Sequence, residues 1–181
     1  MNVWDLPVRL LHWTLVLAIA TAWLSTLGVG GVNAHEPAGY VALAAVLLRV
    51  VWGFTGPTFA RFAQFIRGYT GVWRYARQLR AGTAPRYIGH NPLGGWMVLA
   101  LLACVISLGV TGWLYTTDAF WGEAWLDRLH HLLAWALLVL VALHLAGVLF
   151  TSLHHRENLL ISMFSGHKKH SLPHESIDTL L

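Results

Sequence analysis

The stretch HHLLAWALLVLVALH, His130 to His144, decides how this chain folds. Apart from His131, everything between its terminal histidines is apolar, and no Asp, Glu, Lys or Arg occurs from Leu129 to Leu153. A helix needs about 20 predominantly apolar residues to cross a hydrocarbon core, so Leu129–Leu153 reads as one membrane span. At ~100° per residue, the separation of His130 and His144 returns to within ~40° of the starting face and rises about 21 Å along the axis. One face therefore presents two imidazoles, one toward each side of the membrane. His131 lies ~100° off that line and fits the pattern less well.

Three more apolar runs lie upstream. Leu10–Ala34 and Pro92–Thr117 contain no charged residue, and Pro37–Phe54 is interrupted only by Arg49. The whole chain is 56% hydrophobic and 11% charged, where soluble domains carry about 25% charged residues. The expected fold is an all-α integral membrane bundle of four transmembrane helices, forming one domain over residues 1–153 with a polar cytoplasmic tail over 154–181. The first run is longer than the apolar core of a signal peptide and no small-x-small cleavage site follows it. It reads as a retained helix from about Val8 to Leu27, closed by Gly28-Val29-Gly30-Gly31. The second helix starts near Pro37, a favoured first-turn residue, and the third spans about Leu93–Tyr115. Between them, Thr58–Leu79 mixes Phe59, Phe62, Phe65, Ile66 and Trp73 with Arg61, Arg67 and Arg74. That pattern predicts an amphipathic segment on the membrane surface, its arginines toward anionic headgroups. Trp4, Trp73, Trp96, Trp121 and Trp125 fall near helix ends, where aromatic belts form.

The net charge of +4 is no sign of nucleic-acid binding, because the basic residues follow topology. Arg61, Arg67, Arg74, Arg77, Arg80 and Arg86 share the connection between the second and third helices with no acid. Arg9 precedes the first helix; Arg156, Lys168 and Lys169 follow the fourth. The first loop has no Lys or Arg, and the last holds Asp118, Glu123 and Asp127 against Arg128. The excess of Lys and Arg in cytoplasmic loops puts both termini and the long connection inside, in a multi-pass membrane protein. Cys104 is the single cysteine, which excludes an intrachain disulfide, a multi-cysteine metal site and covalent haem attachment.

Of eleven histidines, His154, His155, His167, His170 and His174 belong to the cytoplasmic end and tail and need no function. His12, His35, His90, His130, His131 and His144 lie within or beside membrane spans, where ionisable groups are costly and usually functional. A single intramembrane histidine is as readily a packing residue; four at matched depth are not explained that way. His12 pairs in depth with His144 on the inner side, and His35 with His130 on the outer side. Each pair suits the two axial positions of a non-covalent haem b, leaving no open site for oxygen chemistry. The chain is thus expected to bind two haems through His12, His35, His130 and His144 and to move electrons. A zinc or copper site would need convergent ligands, and His130 and His144 are too far apart for that. Arg49, 14 residues after His35, turns inward near the inner haem's depth. It would either pair with a propionate or snorkel to the inner surface. Gly39, Gly112 and Gly147 offer room for porphyrin faces, or serve plain helix packing. His90 would assist proton uptake at a quinone site, bond a propionate or cap the Gly89–Gly95 loop; a structural or propionate role is favoured.

The chain resembles the prokaryotic cytochrome b561 family, the group that includes the b-type subunits of membrane-bound nickel–iron hydrogenases and formate dehydrogenase. The matching segments are Trp4-Asp5-Leu6-Pro7-Val8-Arg9-Leu10-Leu11-His12-Trp13, His35-Glu36-Pro37-Ala38-Gly39-Tyr40 and Arg49-Val50-Val51-Trp52-Gly53-Phe54. They continue with Ala60-Arg61-Phe62, Tyr87-Ile88-Gly89-His90-Asn91-Pro92-Leu93-Gly94-Gly95 and His130 through His144. The resemblance implies haem ligands on the first, second and fourth helices, two of them on the fourth. It also implies quinone and a periplasmic cytochrome c as candidate electron partners, or an oxidoreductase subunit for which this chain is the haem-bearing anchor. Hydrogenase-type subunits are longer than this chain, which points away from a hydrogenase partner. No iron–sulfur or dehydrogenase domain is present, so electrons must pass to another molecule. A histidine-based transporter is the remaining alternative, weakened by the lack of repeated halves or paired broken helices. Membrane lipid surrounds the chain, and self-association into a homo-oligomer stays open.

Overall fold

The computed structural model describes residues 3–154 and 157–168; His155, Arg156, Lys169, His170 and His174 lie outside the described residues. Helix α1, Leu6–Thr26, starts where Asp5 caps it, the carboxylate accepting the Val8 N–H at 3.2 Å with Pro7 in the first turn. The same Asp5 accepts the Trp52 indole N–H at 2.6 Å, tying the start of α1 to the end of the next helix. A turn with Gly28, Gly30 and Gly31 all at positive φ reverses the chain, a conformation only glycine adopts freely. One 3₁₀ turn then leads into α2, His35–Thr55.

Helix α2 is the spine of the bundle. Its buried residues, Ala38, Ala42, Ala45, Val46, Arg49 and Gly53, follow a spacing of three and four and so share one face with His35. Small side chains let neighbours close on it, as in other membrane helix interfaces. A Cβ at Gly109 of α5, Pro92–Tyr115, would stand 2.7 Å from Leu43 of α2. Helix α1 packs on α2, α2 on α5, and α5 on α6, Ala124–His154. The core between them joins Ala18, Ala42, Val46, Leu102, Cys104, Val105 and Leu137. The outward faces carry exposed Leu10, Leu17, Leu48, Val51, Leu132, Val139 and Leu143. In water such a surface would drive association; here four helices long and apolar enough to span a membrane present it to lipid.

The connection between α2 and α5 departs from one continuous amphipathic segment. It divides into a 3₁₀ turn at Thr58–Ala60, a short α3, Phe62–Phe65, and α4, Tyr69–Arg80. Phe62 and Phe65 are drawn into the core, Phe62 lying against Gly53, whereas Arg61, Arg67, Arg74, Arg77 and Arg80 stay exposed. The amphipathic character is kept, with apolar side chains plugging the bundle's basic end.

Three expectations shift. Helix α6 begins at Ala124 rather than Leu129; its 31 residues exceed a ~30 Å core by several turns, so Asp127 and Arg128 lie in a helical overhang that hydropathy does not register. Trp4 is buried rather than part of an aromatic belt, while Trp73, Trp96, Trp121 and Trp125 are exposed as expected of one. The tail expected to be polar after His154 includes an apolar helix: Leu159–Ser165 forms α7, with Leu159, Leu160, Ile161, Met163 and Phe164 in its seven residues.

Candidate functional site

At the acidic end of the bundle, α2 and α6 bring His35 and His130 opposite one another, their ring centroids 6.1 Å apart and their planes inclined at 71°. His35 Nδ1 lies 2.8 Å from the Ala22 carbonyl on α1. A carbonyl only accepts, so Nδ1 carries the proton and Nε2 is left with a free lone pair. His130 Nδ1 lies 2.9 Å from Thr111 Oγ1 on α5. With its single proton on the Ser107 or Leu108 carbonyl, at 2.8 and 3.1 Å, that hydroxyl is able to accept from His130. Both rings are thereby held in the tautomer that frees Nε2, the arrangement typical of metal-ligating histidines.

The two histidines line a cavity of about 340 Å³. Its walls are otherwise mainly apolar, including Ile19, Trp23, Val105, Leu108 and Leu137, with Glu36 and Asp127 as the charged lining residues. Gly39 and Gly112 also line it. A Cβ at Gly112 would stand in ordinary contact, 3.4 Å from the His130 ring, and one at Gly39 would meet nothing within 4 Å, projecting into open space. Metal–imidazole bonds of about 2.0 Å and ring radii of about 1.2 Å put the centroids of two axial imidazoles roughly 6.4 Å apart. The observed separation, the free Nε2 atoms and the apolar cavity therefore fit a haem clamped between His35 and His130. Among the described residues, no three of His, Cys, Asp and Glu converge as a zinc or copper site would require. His131 is turned away: it is exposed, its Nδ1 3.0 Å from the Asp127 carbonyl and 3.4 Å from the Asp127 carboxylate.

The basic end is built differently. His12 of α1 lies within electrostatic reach of His144 of α6, and its ring meets Trp13 edge-on at 5.1 Å. His12 Nδ1 is buried without a hydrogen-bond partner among the described residues. Arg49 does not snorkel. Its guanidinium lies 5.3 Å from the Phe62 ring centre and donates through Nη2 to the Ala60 carbonyl at 3.1 Å, leaving Nη1 buried without an acceptor among the described residues. His90 sits between Trp4 and Phe65, ring centroids 4.8 and 4.6 Å away, and its Nδ1 is also buried without a partner there. Burial, reinforced by Arg49, Lys168 and His144, pushes the His90 imidazole down to about 3; it is neutral at physiological pH. His90 does not cap the loop before α5: Asn91 does, accepting the Gly94 N–H at 2.7 Å. Arg49 Nη1, a donor without an acceptor among the described residues, fits a group carrying carboxylates, as haem does.

The depth argument did not reach Thr111, the Ala22 carbonyl or the Asp5–Trp52 bond, since each depends on a contact across helices. A threonine inside an otherwise apolar run was the one available signal for Thr111.

Residues 3–166 match the family model for prokaryotic cytochrome b561. A probable Ni/Fe-hydrogenase B-type cytochrome subunit of Azotobacter vinelandii is 26% identical, the match covering 91% of this chain and 86% of the relative. The corresponding protein of Rhodobacter capsulatus is 26% identical over 92% of this chain and 80% of its own length. That of Rhizobium leguminosarum bv. viciae is 24% identical over 92% and 87%. Such coverage removes most of the force of the length argument against a hydrogenase-type partner. No solved structure matches the chain.

Proposed function

The chain belongs to the prokaryotic cytochrome b561 family, and from that premise we propose that it moves electrons across the membrane through two haems b. Haem-based electron transfer by a multi-pass membrane subunit is the function of the family it joins. The finer reading assigns His35 and His130 to one haem and His12 and His144 to the other, with Arg49 and His90 toward the propionates of the second. The excess of Lys and Arg at the second site supports placing it, and both termini, on the cytoplasmic side of a bacterial inner membrane.

The observation that carries this reading is the His35–His130 pair, 6.1 Å apart across an apolar cavity. When bound, haem supplies one-electron exchange between ferric and ferrous iron. The chain's own residues do the rest. Ala22 and Thr111 hold the imidazoles in one tautomer and orientation. His35 and His130, and likewise His12 and His144, would each hold a haem iron through two protein ligands, which would leave no open position for oxygen chemistry. The apolar walls exclude water. Electrons then pass to partners: quinone in the membrane and a redox protein, a c-type cytochrome or an oxidoreductase subunit, at the surface. The printed names of the relatives favour the last, with this chain as the haem-bearing anchor of a larger oxidoreductase of hydrogenase type.

Detergent-purified protein is expected to show low-spin, six-coordinate b-type spectra, oxidised and dithionite-reduced, with two haems per chain by pyridine haemochrome. One haem per chain would remove one of the two histidine pairs. Folded protein made with ample haem supply yet carrying none would overturn the reading.

A further inference from the structure

Helix α7 closes back on the start of α1. Asn158 caps it, accepting the Ile161 N–H at 2.9 Å, and Gly166 ends it at φ +79°. The Gly166 carbonyl then accepts the backbone N–H groups of Val3 and Trp4, at 2.9 and 3.2 Å. Met163 packs against the buried cluster of Val3, Trp4, Val8 and Ala60. Arg9 and Trp13 are neighbours on one face of α1, and both hold Phe164. Arg9 donates to its carbonyl, and Trp13 stacks on its ring, the centroids 4.2 Å apart and the planes 25° from parallel. The next ring in line is His12, which meets Trp13 with centroids 5.1 Å apart and planes at 88°.

Two rings in this row, His12 and Trp13, are not held by a hydrogen bond: His12 Nδ1 and Trp13 Nε1 are both buried without a partner among the described residues. The terminal torsion of a histidine is broad and roughly two-fold, so the plane of an imidazole is set by what surrounds it. At the acidic end the Ala22 carbonyl and the Thr111 hydroxyl do this. At His12 no described residue does so, and packing is what remains. The perpendicular arrangement of His12 on Trp13 is one that aromatic rings favour, and Trp13 in turn is fixed by the Phe164 ring stacked on it.

We propose that Trp13 and Phe164 are positioning residues for His12: α7 holds Phe164 on Trp13, Trp13 holds the His12 ring perpendicular to itself, and the angle between the two imidazole planes of the basic-end haem is thereby fixed. The inference rests on the two-haem reading. It gives the basic end an aromatic counterpart of the hydrogen bonds that orient the ligands at the acidic end. The angle between axial imidazole planes governs the splitting of the iron d orbitals, so it is read in the g values of the ferric low-spin signal. A residue that only stabilises the fold does not move them.

The test is electron paramagnetic resonance of the oxidised full-length protein, with haem counted as pyridine haemochrome and His12→Ala identifying which signal belongs to the basic-end haem. Phe164 is 59% exposed, so Phe164→Leu opens no cavity in the core and should keep two haems per chain. It is expected to shift and broaden the largest g value of the basic-end haem alone. Transfer of that haem to apomyoglobin should speed up about 2- to 10-fold, the worth of one aromatic pair. Phe164→Tyr, which keeps the ring, should stay near wild type. Trp13→Leu should move the same signal, and the double variant should move it no further, because Phe164 acts through Trp13. Unmoved g values in Phe164→Leu or Trp13→Leu, with only a lower melting temperature, would leave that residue a structural one and overturn the proposal. Equal shifts of both haems, or additive shifts in the double variant, would overturn it too. Should wild type hold one haem or His12→Ala lose none, the two-haem reading fails first; a failure of Phe164→Leu alone leaves that reading standing.

Discussion

The two ends of the bundle each bring a pair of histidines together, yet they solve different problems. At the acidic end every ligand nitrogen has its job: both Nδ1 atoms are hydrogen-bonded, the rings face across an apolar cavity, and the charges on its wall are Glu36 and Asp127. At the basic end, His12 Nδ1, Arg49 Nη1 and His90 Nδ1 are buried without partners among the described residues. One site has its polar atoms partnered within the protein; the other leaves polar atoms for a bound group to meet. Under the proposed two-haem reading the difference would also order the haems energetically: carboxylates near an iron favour the ferric state and cations the ferrous state, so an electron shared between the two sites would settle at the basic end.

The largest effect expected is loss of a whole cofactor. His130→Ala and His12→Ala should each bind one haem where the wild type binds two, halving the pyridine haemochrome per chain. The haem remaining in His130→Ala should titrate at the higher potential and that in His12→Ala at the lower. A reversed order would break the comparison between the two fields, and unchanged stoichiometry in either variant would remove that histidine from its pair. Gly39→Leu sharpens the same contrast without touching a ligand. Its Cβ meets no atom within 4 Å, so the side chain is accommodated in the cavity and should exclude the outer haem alone. Folded protein that still holds both haems would mean that the cavity is not where porphyrin sits.

The candidate histidines could be grouped from the sequence because a helix converts spacing into geometry: His130 and His144 share a face by count, and His35 and Arg49 do the same on α2. Depth then pairs residues on different helices, since antiparallel spans have few ways to align. What periodicity does not encode is a contact between helices, so Thr111 beneath His130 and Asp5 against Trp52 stayed invisible. Nor does hydropathy see a helix that leaves the membrane, which is why α6 starts five residues before its apolar run. The docking of α7 had local signals, Asn158 to start a helix and Gly166 to stop it. Seven residues of helix among histidines and lysines look like tail until something is present for Phe164 and Trp13 to stack against.

A smaller effect is expected from Thr111→Val. The substitution keeps the shape of the side chain and removes the acceptor for His130 Nδ1–H. Loss of such an outer hydrogen bond commonly weakens metal binding by about 10- to 100-fold. In haem transfer to apomyoglobin, the outer haem of Thr111→Val should leave faster than in wild type, with the basic-end haem unaffected. Equal loss of both haems would show a general loosening of the bundle instead.

The smallest effect concerns pH and falls on the basic end alone. His90 is held down to about 3 in the fold against an ordinary value near 6.5. The unfolded chain therefore binds a proton that the folded chain refuses, and stability is complete above about pH 6.5 and falls with acidification toward pH 3. At pH 5 the loss amounts to about 2 kcal/mol. Thermal melts of haem-depleted protein between pH 7 and pH 5 should show that slope, and His90→Phe, whose ring suits the space between Trp4 and Phe65, should flatten it. A carboxylate accepting from His90 favours its protonated form, so the haem-loaded wild type should show a shallower slope than the depleted protein. Equal slopes in the two would separate His90 from the propionates and return it to a packing role between Trp4 and Phe65.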